Sequence, residues 1–155
     1  MTEAEVHAWL VRLVFGLALA SFLFLLFVAA PYGRHTRSGW GPTLGFRAGW
    51  MWMESPAVIG FAAIYSVGEL ATRPVPLLLA ALWMLHYVER ALVYPLRVRS
   101  RAGRIPVVVV VTGFSFNCIN AYINARWISQ LGPYSDRSFL DPWLLAGVVV
   151  FLGGR

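Results

Sequence analysis

The feature that most constrains this chain is an alternation: long uncharged apolar runs separated by short segments in which nearly all the charge is arginine. A run of about 20 apolar residues is long enough to cross a bilayer as a helix. Such runs cover about residues 8–30, 50–70, 74–94 and 105–127, and a fifth begins at Pro142 and reaches Gly154. Inside lipid every backbone N–H and C=O must be bonded within the protein, so runs of that length dictate helices. The expected fold class is an all-α integral membrane protein, a multi-span helical bundle forming one transmembrane domain over residues 1–155. The last run is too short to cross without tilt or continuation, so the sequence reads as ending inside a fifth span.

Composition supports this class. Hydrophobic residues make up 59% and charged residues 13%, and the mean hydropathy is +0.65. Neither a disordered chain nor an ordinary soluble domain has that balance. The formal charge of +6 invites a nucleic-acid reading, but the cations sit between apolar runs rather than along an amphipathic surface. All of them are arginine. Arg34, Arg37 and Arg47 follow the first run, and Arg97, Arg99, Arg101 and Arg104 follow the third, with no acid among them. The N-terminus and the segments after the second and fourth runs are neutral or acidic. The positive-inside bias then makes the Arg-rich loops cytoplasmic and the N-terminus outside or luminal. The first run lacks a basic start and a small-residue cleavage site, so it reads as a retained anchor. The single Cys118 allows neither a disulfide framework nor a thiolate metal cluster.

Three features are candidates for chemistry. The first is His86, Tyr87, Glu89, Arg90 and Tyr94 near the end of the third run, where ionisable groups are costly and imply a bundle interior or a wet cavity. At about 100° per residue His86, Arg90, Tyr94 and Tyr87 share one polar arc, with Glu89 at its edge. A salt-bridged helix end explains the same spacing. The second is Glu54, set in Trp50-Met51-Trp52-Met53-Glu54-Ser55-Pro56. Poorly solvated between two Trp and two Met, it is expected to favour the neutral acid, able to donate to a carbonyl. An interfacial Glu at a helix start, with Pro56 setting the turn, is the alternative. The third is the pair of Arg-rich loops, suited to a phosphate or simply to anionic lipid. Asn117, Asn120 and Asn124 form a polar stripe on the fourth run, as interhelical hydrogen bonding requires. No Walker loop, dinucleotide glycine fingerprint, zinc-spaced His pair or nucleophile elbow is present.

In order and spacing, Pro31-Tyr32-Gly33-Arg34-His35-Thr36, Glu54-x-Pro56, His86-Tyr87-x-x-Arg90-x-x-x-Tyr94 and Asn120 resemble the steroid 5α-reductases. The resemblance covers nearly the whole chain and implies a seven-span membrane enzyme, of which about five spans are present here. It implies NADPH-dependent reduction of the Δ4 double bond of a 3-oxo-Δ4-steroid such as testosterone or progesterone. It also implies that Glu54 and Tyr87 hydrogen-bond the 3-oxo group, with Trp52 and Asn120 on the substrate and Arg90 supporting the polar site. Tyr32, Arg34, Tyr94 and Arg104 are implied at the NADPH. The implied setting is the bacterial inner membrane, or the endoplasmic reticulum in a eukaryote, with a lipophilic steroid and membrane lipid as partners, neither metal nor nucleic acid, and a monomer. Further cofactor residues are expected beyond Arg155. Two other classes fit the span pattern: an isoprenylcysteine-type methyltransferase using S-adenosylmethionine, and a membrane scaffold whose polar residues only join helices.

Overall fold

The computed structural model describes residues 1–31, 35, 38–98, 103–134 and 139–154. Its order is α1 (Glu3–Leu25), β1 (Thr43–Gly45), α2 (Phe46–Ser55), α3 (Phe61–Ser66), α4 (Pro74–Val88), α5 (Tyr94–Arg97), β2 (Arg104–Pro106), α6 (Val107–Arg126) and α7 (Pro142–Gly153). Three π-helical segments, Pro56–Gly60, Glu89–Val93 and Trp127–Leu131, continue α2, α4 and α6. Among the described residues three helices are long and apolar enough to cross a membrane: Glu3–Leu25, Pro74–Arg97 and Val107–Leu131. The second expected span is helical over 46–66 but carries Arg47, Glu54 and several small residues, which lower its apolarity. The fifth is the shorter helix α7.

Local chemistry explains the boundaries. The first helix starts at Glu3, five residues before the expected apolar start, because Thr2 and Glu5 form a capping box. The Glu5 carboxylate accepts from the Thr2 N–H at 2.7 Å, and the Thr2 hydroxyl accepts from the Glu5 N–H at 3.3 Å. Apart from His7 the helix buries nothing, and Leu13, Phe15, Phe22 and Leu26 nearby are exposed. A helix apolar all round and unburied suits contact with lipid.

Proline accounts for two of the three π segments. Pro56 has no N–H and its ring crowds the carbonyl four residues back, so the turn after Ser55 widens instead of breaking. The Trp52 carbonyl left without that partner accepts from the Ser55 hydroxyl at 2.9 Å. The expectation that Pro56 marks a turn is thus corrected: the helix runs through it. Pro95 likewise follows the Glu89–Val93 segment. The third segment closes with the Gly132 N–H on the Trp127 carbonyl at 2.8 Å.

β1 and β2 pair antiparallel, Thr43 opposite Pro106, Leu44 opposite Ile105 and Gly45 opposite Arg104. Gly103, with φ at 77°, makes the entry into β2 in a backbone region that side chains disfavour. The clasp brings the segments after the first and third spans to one end of the bundle, where Arg47 also donates to the Val98 carbonyl at 2.9 Å. At the opposite end Arg126 binds the Glu3 carboxylate through both Nε and Nη2. There His7 stacks on Trp127 and bonds the Ile123 carbonyl at 2.9 Å.

Two apolar clusters hold the bundle. Phe46, Trp50, Met53, Ile105 and Val110 form the one beside the clasp. Phe61, Ala80, Ala121, Ala125 and Ile128 form the other. Ala57, Ala121 and Ala125 are fully buried, and Gly60 faces Ala121. Lipid supplies no hydrophobic drive between helices, so such small residues matter by letting backbones approach and pack. Along α2 the polar Glu54 falls between the Met53 and Phe61 layers, and along α6 Asn117 falls between Val110 and Ala121. The site sits at that joint.

Candidate active site

A cavity of about 520 Å³ opens between α1, α2, α4 and α6, within the range of roughly 300–1,000 Å³ usual for small-molecule sites. Its apolar wall includes Phe24, Trp40, Trp50, Met53, Val109 and Phe116, and its polar groups include Glu54, His86, Tyr87, Arg90 and Asn117. His86 and Tyr87 also border a second opening of about 540 Å³ against α7.

Glu54 is 2% exposed. Its Oε1 accepts from Arg90 Nε at 2.8 Å, and its Oε2 accepts from Asn117 Nδ2 at 3.3 Å. Asn117 also donates to the Met53 carbonyl at 2.9 Å, which locks α6 to α2 at this level. Both carboxyl oxygens accept, Oε1 from a guanidinium and Oε2 from an amide.

Arg90 is held from three sides. Its guanidinium grips Glu54 and lies 5.1 Å over the Trp50 ring, and its carbonyl accepts from the Trp50 indole at 3.0 Å. That carbonyl lies within a π segment, and an indole supplies its donor. Trp83 does the same for the Ala57 carbonyl at 2.7 Å in the first π segment. Interruptions of this kind recur at functional sites because they re-aim side chains.

Tyr87 is half-buried and lines the cavity. Its oxygen accepts from Asn120 Nδ2 at 3.0 Å, which leaves the phenolic hydrogen to donate elsewhere. Asn124 in turn donates to Asn120 Oδ1 at 3.0 Å, fixing that amide. The ring packs at a tilt against Trp83, centroids 4.4 Å apart, and meets His86 edge-on.

The structure brings together Glu54, Tyr87, Arg90 and His86 from the sequence reading and separates others. Trp52, expected on the substrate, is 63% exposed and points away, because two residues from Glu54 on a helix is nearly the opposite face. Trp50, four residues from Glu54, is the tryptophan of α2 that lines the cavity. The four-residue spacing was the available signal for it. Asn120 is absent from the cavity wall and reaches the site only through Tyr87. The polar arc does not extend to Tyr94, because the π segment at 89–93 resets the helical phase. Tyr94 instead packs on Trp50 and Phe46, centroids 5.2 and 6.5 Å apart. Arg104 is committed to the clasp, its Nε and Nη2 donating to the Thr43 hydroxyl and carbonyl at 2.6 and 2.7 Å. Tyr32, Arg34, Arg37, Arg99 and Arg101 lie outside the described residues.

No family model matches the chain. It is 39% identical over 136 residues to the steroid 5-alpha-reductase DET2 of Arabidopsis thaliana, covering 84% of this chain and 52% of that protein. It is 33% identical over 156 residues to the steroid 5-alpha-reductase DET2 of Solanum lycopersicum, covering 99% and 61%. Against 3-oxo-5-alpha-steroid 4-dehydrogenase 1 of Bos taurus it is 30% identical over 143 residues, covering 90% and 55%. The chain thus spans about half to three-fifths of the length of these relatives.

Proposed function

This chain belongs to the steroid 5α-reductase family, and from that membership we propose that it builds the substrate side of an NADPH-dependent reductase of 3-oxo-Δ4-steroids. The observation that carries the reading is the joint of the bundle. There a phenol whose hydrogen has no acceptor among the described residues and an Arg–carboxylate pair face an apolar cavity of about 520 Å³. A rigid lipophilic ligand with one polar end matches such a wall.

The reaction adds two electrons and two hydrogens to an enone. A C–H bond forms at the β-carbon as hydride arrives, the C=C pair moves toward the carbonyl, and negative charge develops on the oxygen. A proton from water then completes the α-carbon and restores the ketone. Hydride is what a reduced nicotinamide supplies when bound. The chain's own part is to orient the enone and to place donors where the charge grows, which lowers the barrier more than it stabilises the ground state. Tyr87 is suited to this by its position and by Asn120, which holds its oxygen. Glu54 and Arg90 complete the polar end of the site. Excluding bulk water with Phe24, Trp50, Met53 and Phe116 strengthens each of these interactions.

The donor chemistry at the clasp end suits a phosphorylated cofactor. Arg97 is exposed there, and Arg47 and Arg104, exposed as well, already spend part of their donors on the Val98 carbonyl and on Thr43. Tyr32 and Arg34 remain proposals for the same group. Placing that end in the cytoplasm, with the N-terminus outside or luminal, follows from its excess of arginine.

The test is reduction of testosterone or progesterone by membranes containing the protein, followed as NADPH oxidation and as formation of the 5α-3-oxosteroid. Tyr87→Phe is expected to lower turnover by about 100-fold, the usual effect of losing one donor at a developing oxyanion. Normal turnover in that variant sinks the site, and absence of any steroid-dependent NADPH oxidation sinks the function.

A further inference from the structure

Beside the cavity α2 runs so close to the segment of β2 and α6 that glycine stands at two of the contacts. A Cβ on Gly49 would strike Ile105 and come within 3.1 Å of Val110 Cγ2. A Cβ on Gly113 would stand 2.5 Å from Met53 Sδ, with Cγ closer still. The two helices are also tied at this level. Asn117, one turn beyond Gly113, donates to the Met53 carbonyl at 2.9 Å in a buried bond. The Met53 side chain therefore occupies the notch that the missing Gly113 side chain leaves. It is 9% exposed and packs into the cluster of Phe46, Trp50, Ile105 and Val110. Met53 and Gly113 both border the cavity as well. The thioether thus has filled core beside it and ligand space within reach.

Resting on the reaction proposed above, we infer that Gly113 determines specificity: by storing the Met53 side chain between α2 and α6, it sets the room available beside the enone ring. The position of this wall follows from its neighbours. Met53 precedes Glu54, and Asn117, one turn from Gly113, bonds Glu54 Oε2 at 3.3 Å. The notch therefore adjoins the polar end of the cavity, where the ring bearing the 3-oxo group is oriented. The bulkiest substituent near that ring is the angular methyl at its junction with the second ring. A methyl group added at Gly113 would fill the notch. The Asn117 bond and the Gly49 contacts oppose any separation of the backbones, and close-packed side chains resist compression. The flexible thioether is what yields, and the open direction is the cavity. The change alters the shape of the wall and none of its polar groups, so it acts on ligands according to their bulk.

The test compares testosterone with 19-nortestosterone, which lacks the angular methyl and is otherwise the same enone. Equilibrium binding of both radiolabelled steroids is measured with NADPH present, on membranes of the wild type, Gly113→Ala, and the double variant Gly113→Ala/Met53→Ala. The ratio of the two affinities reports the shape of the wall and is unaffected by the fraction of protein that folds. Gly113→Ala should weaken testosterone relative to 19-nortestosterone by about tenfold, the scale on which one carbon is felt in an apolar site. Removing the thioether in the double variant should bring the ratio back toward that of the wild type, a non-additivity expected of groups in contact. Reduction of the two steroids should follow the same ratio, with KM for testosterone rising more than kcat falls. A wild-type ratio in Gly113→Ala, or a shifted ratio that the double variant does not restore, overturns the role of Gly113 while wild-type binding and reduction leave the reaction standing. Wild-type membranes that bind and reduce neither steroid overturn the reaction itself, and this role with it.

Discussion

Breaking the Glu54–Arg90 pair one side at a time should give unequal losses of stability, and the inequality can be worked from burial. Arg90 donates to Glu54 at 2.8 Å, with side-chain exposures of 44% and 3%. Arg90→Gln leaves a carboxylate that is out of water and served by Asn117 alone. Stranding a buried charge costs about 3–5 kcal/mol, and the low end applies where one polar contact remains. Glu54→Gln leaves a half-exposed guanidinium that can turn toward water, and the new amide still accepts. Its cost is nearer that of an exposed pair with some added desolvation, about 1–2 kcal/mol. The double variant strands nothing, so its loss falls short of the sum by about 2 kcal/mol, well beyond the roughly 0.5 kcal/mol scatter of independent sites. Thermal unfolding of the purified protein in lipid or mild detergent reads this out. At about 2–4 °C per kcal/mol for a chain of this size, Arg90→Gln should melt roughly 6–12 °C lower and Glu54→Gln roughly 2–8 °C lower. Additive losses, or a Glu54→Gln variant that melts lower than Arg90→Gln, refute the ion pair.

Other substitutions separate the site from its surroundings. Trp50→Phe keeps a ring under Arg90 but removes the indole donor from the Arg90 carbonyl; it should cost about 1–3 kcal/mol and weaken steroid binding, whereas Trp52→Ala should leave binding unchanged. Asn120→Ala frees the Tyr87 oxygen and should lower kcat by about tenfold, since Tyr87 keeps its proton but loses its orientation. A wild-type kcat in that variant removes Asn120 from the mechanism. Gly68→Ala places a methyl group against Ser129, including its backbone carbonyl, which cannot give way as a flexible side chain does; a loss of about 1–3 kcal/mol is expected, read as a lowered melting temperature with wild-type ligand affinity in the surviving folded fraction.

Much of the architecture was legible because lipid leaves the backbone little choice. Apolar runs of spanning length must be helical, and Pro74, Val107 and Pro142 begin helices within two residues of where hydropathy alone puts them. The interhelical role of Asn117 and Asn120 was also readable, since an amide on an otherwise apolar run must find a partner within the protein. Glu54 and Tyr87 stand out for the same reason. Partner choice was not readable. For Glu54, the Trp and Met neighbours in sequence could display burial and nothing of its partners. Arg90, thirty-six positions away, turns a desolvated acid into one half of an ion pair.

Helical phase was the other limit. Counting 100° per residue placed Tyr94 on the same arc as His86 and Arg90, and that holds only while the helix stays α. The π segment before Pro95 shifts every later residue, and its register depends on Trp50 reaching across from another helix. By itself, then, the sequence determined the class of the protein, the approximate spans, the clustering of arginine in two loops, and the residues too polar to be lipid-facing. Tertiary structure decided that those two loops meet in a β clasp, that Trp50 rather than Trp52 faces the site, and that Arg90 pairs with Glu54 on the cavity wall. The physical reason is that hydropathy and periodicity are sums along the chain. Charge pairing and helical register are settled by whichever group arrives from elsewhere.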